Sequence, residues 1–90
     1  MARLMNIGFG NVVNTGKIIA VVSPEAAPVK RMVQNARQNG KAIDATQGRR
    51  TKSVIVTGDD YIVLSALQPD TLVKRFNLNM EEMRGDTDEA

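Results

Sequence analysis

Apolar residues along this chain gather in short runs, separated by glycine, proline and acidic punctuation. The run Ile18-Ile19-Ala20-Val21-Val22, with four β-branched residues among five, predicts a buried strand between Asn14-Thr15-Gly16 and Ser23-Pro24-Glu25. A helix is expected next. Pro28 is tolerated only in a first turn, and Val29, Met32, Val33 and Ala36 recur on one helical face, with Gly40 as a left-handed cap. Lys41 to Thr46 suits a short strand around Ile43, and Gln47 to Thr51 a polar turn. Val54-Ile55-Val56 and Tyr61 to Ala66, joined by Gly58-Asp59-Asp60, form the strongest hairpin signal. Gln68-Pro69-Asp70 ends the sheet. Asp70 or Thr71 is placed to cap a second helix whose Leu72, Val73 and Phe76 share a face. The segment before the first strand, with Gly8-Phe9-Gly10-Asn11 at its centre, reads as turns.

The fold class these elements predict is α+β: a small curved sheet, mixed or antiparallel, of four to five short strands with two short helices. One domain is expected over residues 1–78, followed by an acidic, aperiodic tail at 79–90. The strand cores are apolar at every position, so both sheet faces require cover. Two helices supply little of it. A chain of 90 residues is marginal alone, so a neighbouring copy is the expected cover, and a homo-oligomer the expected state.

Charge changes the picture more than composition does. Residues 1–75 carry eleven Lys/Arg against five acids, a net of +6, whereas residues 76–90 carry a net of −4. A basic globular part points to a polyanion, nucleic acid being the commonest. The chain has no cysteine and no histidine, which excludes thiol and Ser-His nucleophiles and the usual zinc sites. No catalytic residue, metal site or cofactor is expected, and the chain reads as a non-enzymatic cytoplasmic protein with no membrane partner.

Two motifs fail on inspection. Gly10 to Lys17 has five residues between its glycines where a phosphate-binding loop has four, and Ile18 stands where the magnesium-holding hydroxyl belongs. Gly8-Phe9-Gly10 is followed by Val13 where a dinucleotide fingerprint needs glycine. Asp59-Asp60 is the only adjacent carboxylate pair before the tail, and its place at a hairpin tip favours turn chemistry. Gly48-Arg49-Arg50-Thr51-Lys52 is different. It sets three cations and a hydroxyl where guanidinium forks and uncharged donors meet successive phosphates, although a solvated basic loop is an equally open reading. Lys17, Lys30 and Arg31 are candidates to extend that surface. Of three aromatic residues, Phe9, Tyr61 and Phe76, two are expected in the core, which leaves little to stack unpaired bases and favours duplex DNA held by its phosphates.

Asn6-Ile7-Gly8-Phe9-Gly10-Asn11, Lys17 to Pro24, Ala27-Pro28-Val29-Lys30-Arg31, Asp44 to Thr51 and Leu64 to Pro69 together resemble the bacterial RemA family, regulators of extracellular-matrix genes in biofilm-forming bacteria. The resemblance covers about Met5 to Phe76. It implies a DNA-binding transcriptional activator that assembles into a ring, lays promoter DNA along a basic outer surface and works at the nucleoid. The family's DNA-contacting positions fall on Lys17, Arg49 and Arg50. Better-known members carry arginine at the first, and lysine keeps the charge but loses the bidentate fork. The alternative from another class is a ring that scaffolds other proteins without touching DNA.

Overall fold

The structure is a computed structural model, described from Leu4 to Asp88 in its backbone and from Leu4 to Leu78 in its side chains. Strands β1 (Leu4–Gly8) and β2 (Asn11–Asn14) form an antiparallel hairpin, and a 3-10 turn (Thr15–Lys17) leads into β3 (Ile18–Val22). Helix α1 (Ala27–Gln38), β4 (Ala42–Asp44), β5 (Ser53–Thr57), β6 (Ile62–Ser65) and helix α2 (Pro69–Asp88) complete the chain. The second sheet has the order β3-β5-β6-β4, antiparallel except for the parallel pair β4 and β6.

The hydrophobic pattern explains most of this. Helix α1 has its proline in the first turn and turns Val29, Met32, Val33 and Ala36 onto Val54, Ile62 and Leu64. It ends in a double-bonded C-cap: the Lys41 amide donates to the Ala36 carbonyl at 2.7 Å and the Gly40 amide to Arg37 at 3.3 Å. That geometry puts Gly40 at φ +70°, a conformation for which glycine has no steric cost. The β5–β6 hairpin pairs Val54 with Leu64 and Ile55 with Val63. Full burial of such side chains contributes about 1.5–3 kcal/mol each.

Four expectations are corrected. The described residues form six strands in two sheets, because residues 4–14 are a hairpin and not a string of turns. Cover for both faces comes from within the chain. Helix α1 lies on one face, while Met5, Ile7, Leu72 and Phe76, from β1 and α2, pack against Ile55 and Val63 on the other. The apolar strand runs therefore do not by themselves call for a neighbour. Helix α2 starts at Pro69, one residue before the expected cap, since proline suits a first turn where no amide partner is needed. Val73, expected on the inward face of α2, is exposed. The α2 backbone runs on to Asp88, and the acidic tail expected at 79–90 lies outside the residues whose side chains are described.

Two buried serines tie these layers together. The Ser65 hydroxyl donates to the Ile7 carbonyl at 2.9 Å and accepts from the Leu67 amide at 3.1 Å. The Ser53 hydroxyl donates to the Leu67 carbonyl at 2.6 Å. Both are fully buried, so their hydrogen bonds satisfy groups that would otherwise be costly to desolvate. The end of β6 is thereby fixed to the β1 hairpin, and the start of β5 to the connection into α2.

Candidate nucleic-acid interface

The loop between β4 and β5 carries the basic cluster, and its shape is set where it leaves β4. Asp44 Oδ1 accepts from the Thr46 amide at 2.9 Å and from the Thr46 hydroxyl at 2.6 Å. These bonds hold the Asp44 carboxyl below its usual range: the Thr46 hydroxyl has the largest effect, then its amide, with the charge of Arg37 adding to them and burial opposing. A tight turn follows, in which the Arg49 amide donates to the Thr46 carbonyl at 3.0 Å. Gln47 and Gly48 have φ +55° and +78°, as the two central residues of a type I′ turn require. The far end is fixed by the Lys52 amide, which donates to the Ser65 carbonyl at 2.9 Å.

From this frame the cations diverge. The Arg49 guanidinium lies over the ring of Phe9, 4.8 Å from its centroid, bridging to the tip of the β1–β2 hairpin. Arg50 turns the other way and donates to Glu25 Oε1 at 3.3 Å, with both side chains about three-quarters exposed. Such an exposed pair is worth at most about 1 kcal/mol. Arg50, Thr51 and Lys52 line an open cleft of about 340 Å³ with Glu25 and Pro69. Lys30 stands beside a neighbouring cleft that Thr51 also lines.

Arg49, Arg50, Thr51, Lys52 and, at its flank, Lys30 are therefore brought to one end of the domain. Lys17 is not. It precedes Ile18, which pairs with Thr57, whereas the basic loop leads into Ser53 at the other end of β5. The two ends are about 13 Å apart along the strand. Lys17 instead pairs with Asp59 at 3.5 Å, and Asp59-Asp60 is the tip of the β5–β6 hairpin. Arg31 lines a separate groove with Ile19 and Met32. Among the described residues no cluster of three His, Cys, Asp or Glu side chains suits a metal ion, and no helix is long and apolar enough to cross a membrane.

The sequence reading does not pick out three of the residues that shape this site. Phe9 is exposed, as is Tyr61, so only Phe76 of the aromatics joins the core. A phenylalanine between two glycines is the available signal. Glu25, the Arg50 partner, carries none. Asp44-Ala45-Thr46 has the spacing by which a carboxylate bonds the amide two residues on.

Comparison with known proteins matches residues 4–76 to the family described as "RemA-like: Extracellular matrix regulatory protein A-like". This chain belongs to the RemA-like family. A relative from Alkaliphilus metalliredigens is 59% identical over 83% of this chain and 81% of its own length. One from Thermoanaerobacter sp. is 53% identical over 88% and 82%, and one from Gloeothece citriformis is 54% identical over 88% and 90%. Each bears the name "Putative regulatory protein". Membership in the family supports a regulatory role for this chain, and the match includes every residue of the basic loop.

Proposed function

We infer that this protein is a transcriptional regulator that binds duplex DNA through the 49–52 loop, without catalysing a reaction. The observation that carries this reading is the loop itself: three exposed cations and Thr51 follow one tight turn, anchored at both ends to the sheet. Phosphate contacts from such a frame position a duplex without reading its bases. Specificity then lies in how readily a promoter bends. The activity is that of an activator in the cytoplasm, at the nucleoid, with matrix genes as the target class that the family description carries.

The working form in this reading is a closed homo-oligomeric ring. Ile19 is 68% exposed beside the irregularity in β3, and Ile43 is 48% exposed on β4. These two strands are the two edges of the four-stranded sheet. Two different apolar edges on one subunit suit a head-to-tail interface, which closes into a ring when the rotation permits. Repetition of a weak loop around the ring then gives avidity, with Lys17 and the loop as separate DNA-facing points on each subunit.

The deciding experiment is duplex DNA binding titrated with salt, beside solution mass, for the wild type and Arg49→Ala/Arg50→Ala. The double variant should assemble normally and lose DNA binding, because neither arginine is buried and the structural cost stays within about 0.5 kcal/mol each. For every phosphate that a variant no longer neutralises, the slope of log affinity against log salt should flatten by about 0.9. Unchanged affinity in the assembled double variant would overturn the DNA reading and leave a protein scaffold. A solution mass of 9.8 kDa would remove the ring.

A further inference from the structure

Phe9 occupies a position that local physics disfavours twice. Its φ of +54° lies in the left-handed region, where asparagine and glycine are at ease and a bulky side chain is strained. The residue is also 43% exposed, so burial does not offset that strain. The hairpin nevertheless braces this conformation. The Asn6 carboxamide oxygen accepts from the Gly8 amide at 2.7 Å, and the Asn11 side-chain amide donates to the Gly8 and Phe9 carbonyls at 3.1 and 3.4 Å. Backbone strain held by surrounding structure at an exposed place points to function. What the ring touches is Arg49, with its guanidinium carbon 4.8 Å from the ring centroid.

We propose that Phe9 is a positioning residue for DNA binding, acting by holding the Arg49 guanidinium against its face while the N–H donors stay free for phosphate. This rests on the proposed DNA-binding function. The chemistry distinguishes the two arginines of the loop. A carboxylate partner, as Glu25 is to Arg50, occupies the donors that a phosphate would use. An aromatic face takes the cation from the flat side and leaves the planar fork at its edge unoccupied. Arg49 is thus pre-oriented with its donors available, and the loss of side-chain freedom that accompanies binding is already met in the free protein. The two turns that meet here, Phe9-Gly10 and Gln47-Gly48, each hold consecutive positive φ values. Their tight backbones bring the ring and the guanidinium together from segments nearly forty residues apart.

The test uses the full chain, a fluorescent duplex, and the variants Phe9→Asn, Phe9→Leu, Phe9→Trp, Arg49→Ala and Phe9→Asn/Arg49→Ala. Asparagine relieves the left-handed strain, so Phe9→Asn should melt at or above the wild-type temperature while binding DNA about two- to five-fold less tightly, the range expected for an exposed cation–π pair. Its salt dependence should flatten although its charge is unchanged. Leucine keeps the strain and the apolar bulk, and should lose the same affinity. Tryptophan should restore it. In the Arg49→Ala background, Phe9→Asn should change nothing further. If Arg49→Ala weakens binding but Phe9→Asn and Phe9→Leu do not, the positioning role is overturned and the DNA reading stands. If Arg49→Ala has no effect, the positioning role falls with it, while the DNA reading is still decided by the Arg49→Ala/Arg50→Ala double variant. A second loss on adding Phe9→Asn to Arg49→Ala, or a changed solution mass for Phe9→Asn, would show that the ring touches DNA or a subunit itself, and would overturn the proposal.

Discussion

Thr46 is 2% exposed, and its amide and hydroxyl both serve one oxygen of Asp44. Replacing it with valine keeps the shape and removes the hydroxyl, so a cost of about 1 kcal/mol is expected in chemical denaturation. The basic loop should loosen with it. The same pair has a pH signature. Asp44 titrates lower in the folded protein than its ordinary value, so its stabilising effect is complete above the unfolded carboxylate range, near about pH 4, and is lost as pH falls through the depressed folded value. Acid unfolding of Asp44→Asn should lack that component, with the two proteins converging at low pH. At this scale the chain announces cations more readily than their partners. Arg49, Arg50 and Lys52 stand out by charge alone, whereas Phe9 and Glu25 become meaningful only once residues 9 and 49, or 25 and 50, are brought together by the fold.

Elements with complete internal signals are legible in the chain. Helix α1 has a proline at its start, an apolar stripe and a glycine at its end, and all three fall where the pattern puts them. A substitution tests that last signal. Gly40 is at φ +70° and an added Cβ would meet nothing within 4 Å, so Gly40→Ala should cost only the left-handed penalty, roughly 1–2 kcal/mol, seen as a lowered denaturation midpoint with DNA affinity unchanged. The hairpin β1–β2 escapes the sequence pattern for a physical reason. Met5 and Ile7 face inward while Leu4 and Asn6 face outward, a period of two, but the stretch is short and ends in glycines that read as turns. Its burial depends on α2 and on Ile55 and Val63, far away in sequence. Helix α2 shows the converse limit. Leu72 and Phe76 face inward as the spacing predicts, yet Val73 points to solvent because the hairpin covers a narrower stripe than the sequence suggests.

Taken whole, the molecule is elongated, with extents of 47 × 23 × 22 Å, and that shape governs how its two charged regions interact. The part through residue 75 carries +6 and the remainder −4, so a collapsed acidic tail would shield the basic loop. The backbone of α2 instead continues as a helix from that end of the domain. Pro69 lines the cleft with Arg50 and Lys52, and α2 continues to Asp88. At 1.5 Å per residue, the backbone of Glu81 lies about 18 Å, and that of Asp88 about 28 Å, from that first turn. The screening length is about 8 Å at 0.15 M salt and about 30 Å at 0.01 M. Removing residues 79–90 should therefore leave DNA affinity unchanged near 0.15 M and tighten it at 0.01 M, where the acids are felt across the domain. Core packing through Leu72 and Phe76 is retained in the truncated chain, so its fold should persist. A gain in affinity that survived at 0.15 M would mean that acidic segments reach the loop by another route, the natural one being from a neighbouring subunit. In that case the tails and the basic surface would act together, as properties of an assembly and not of one subunit.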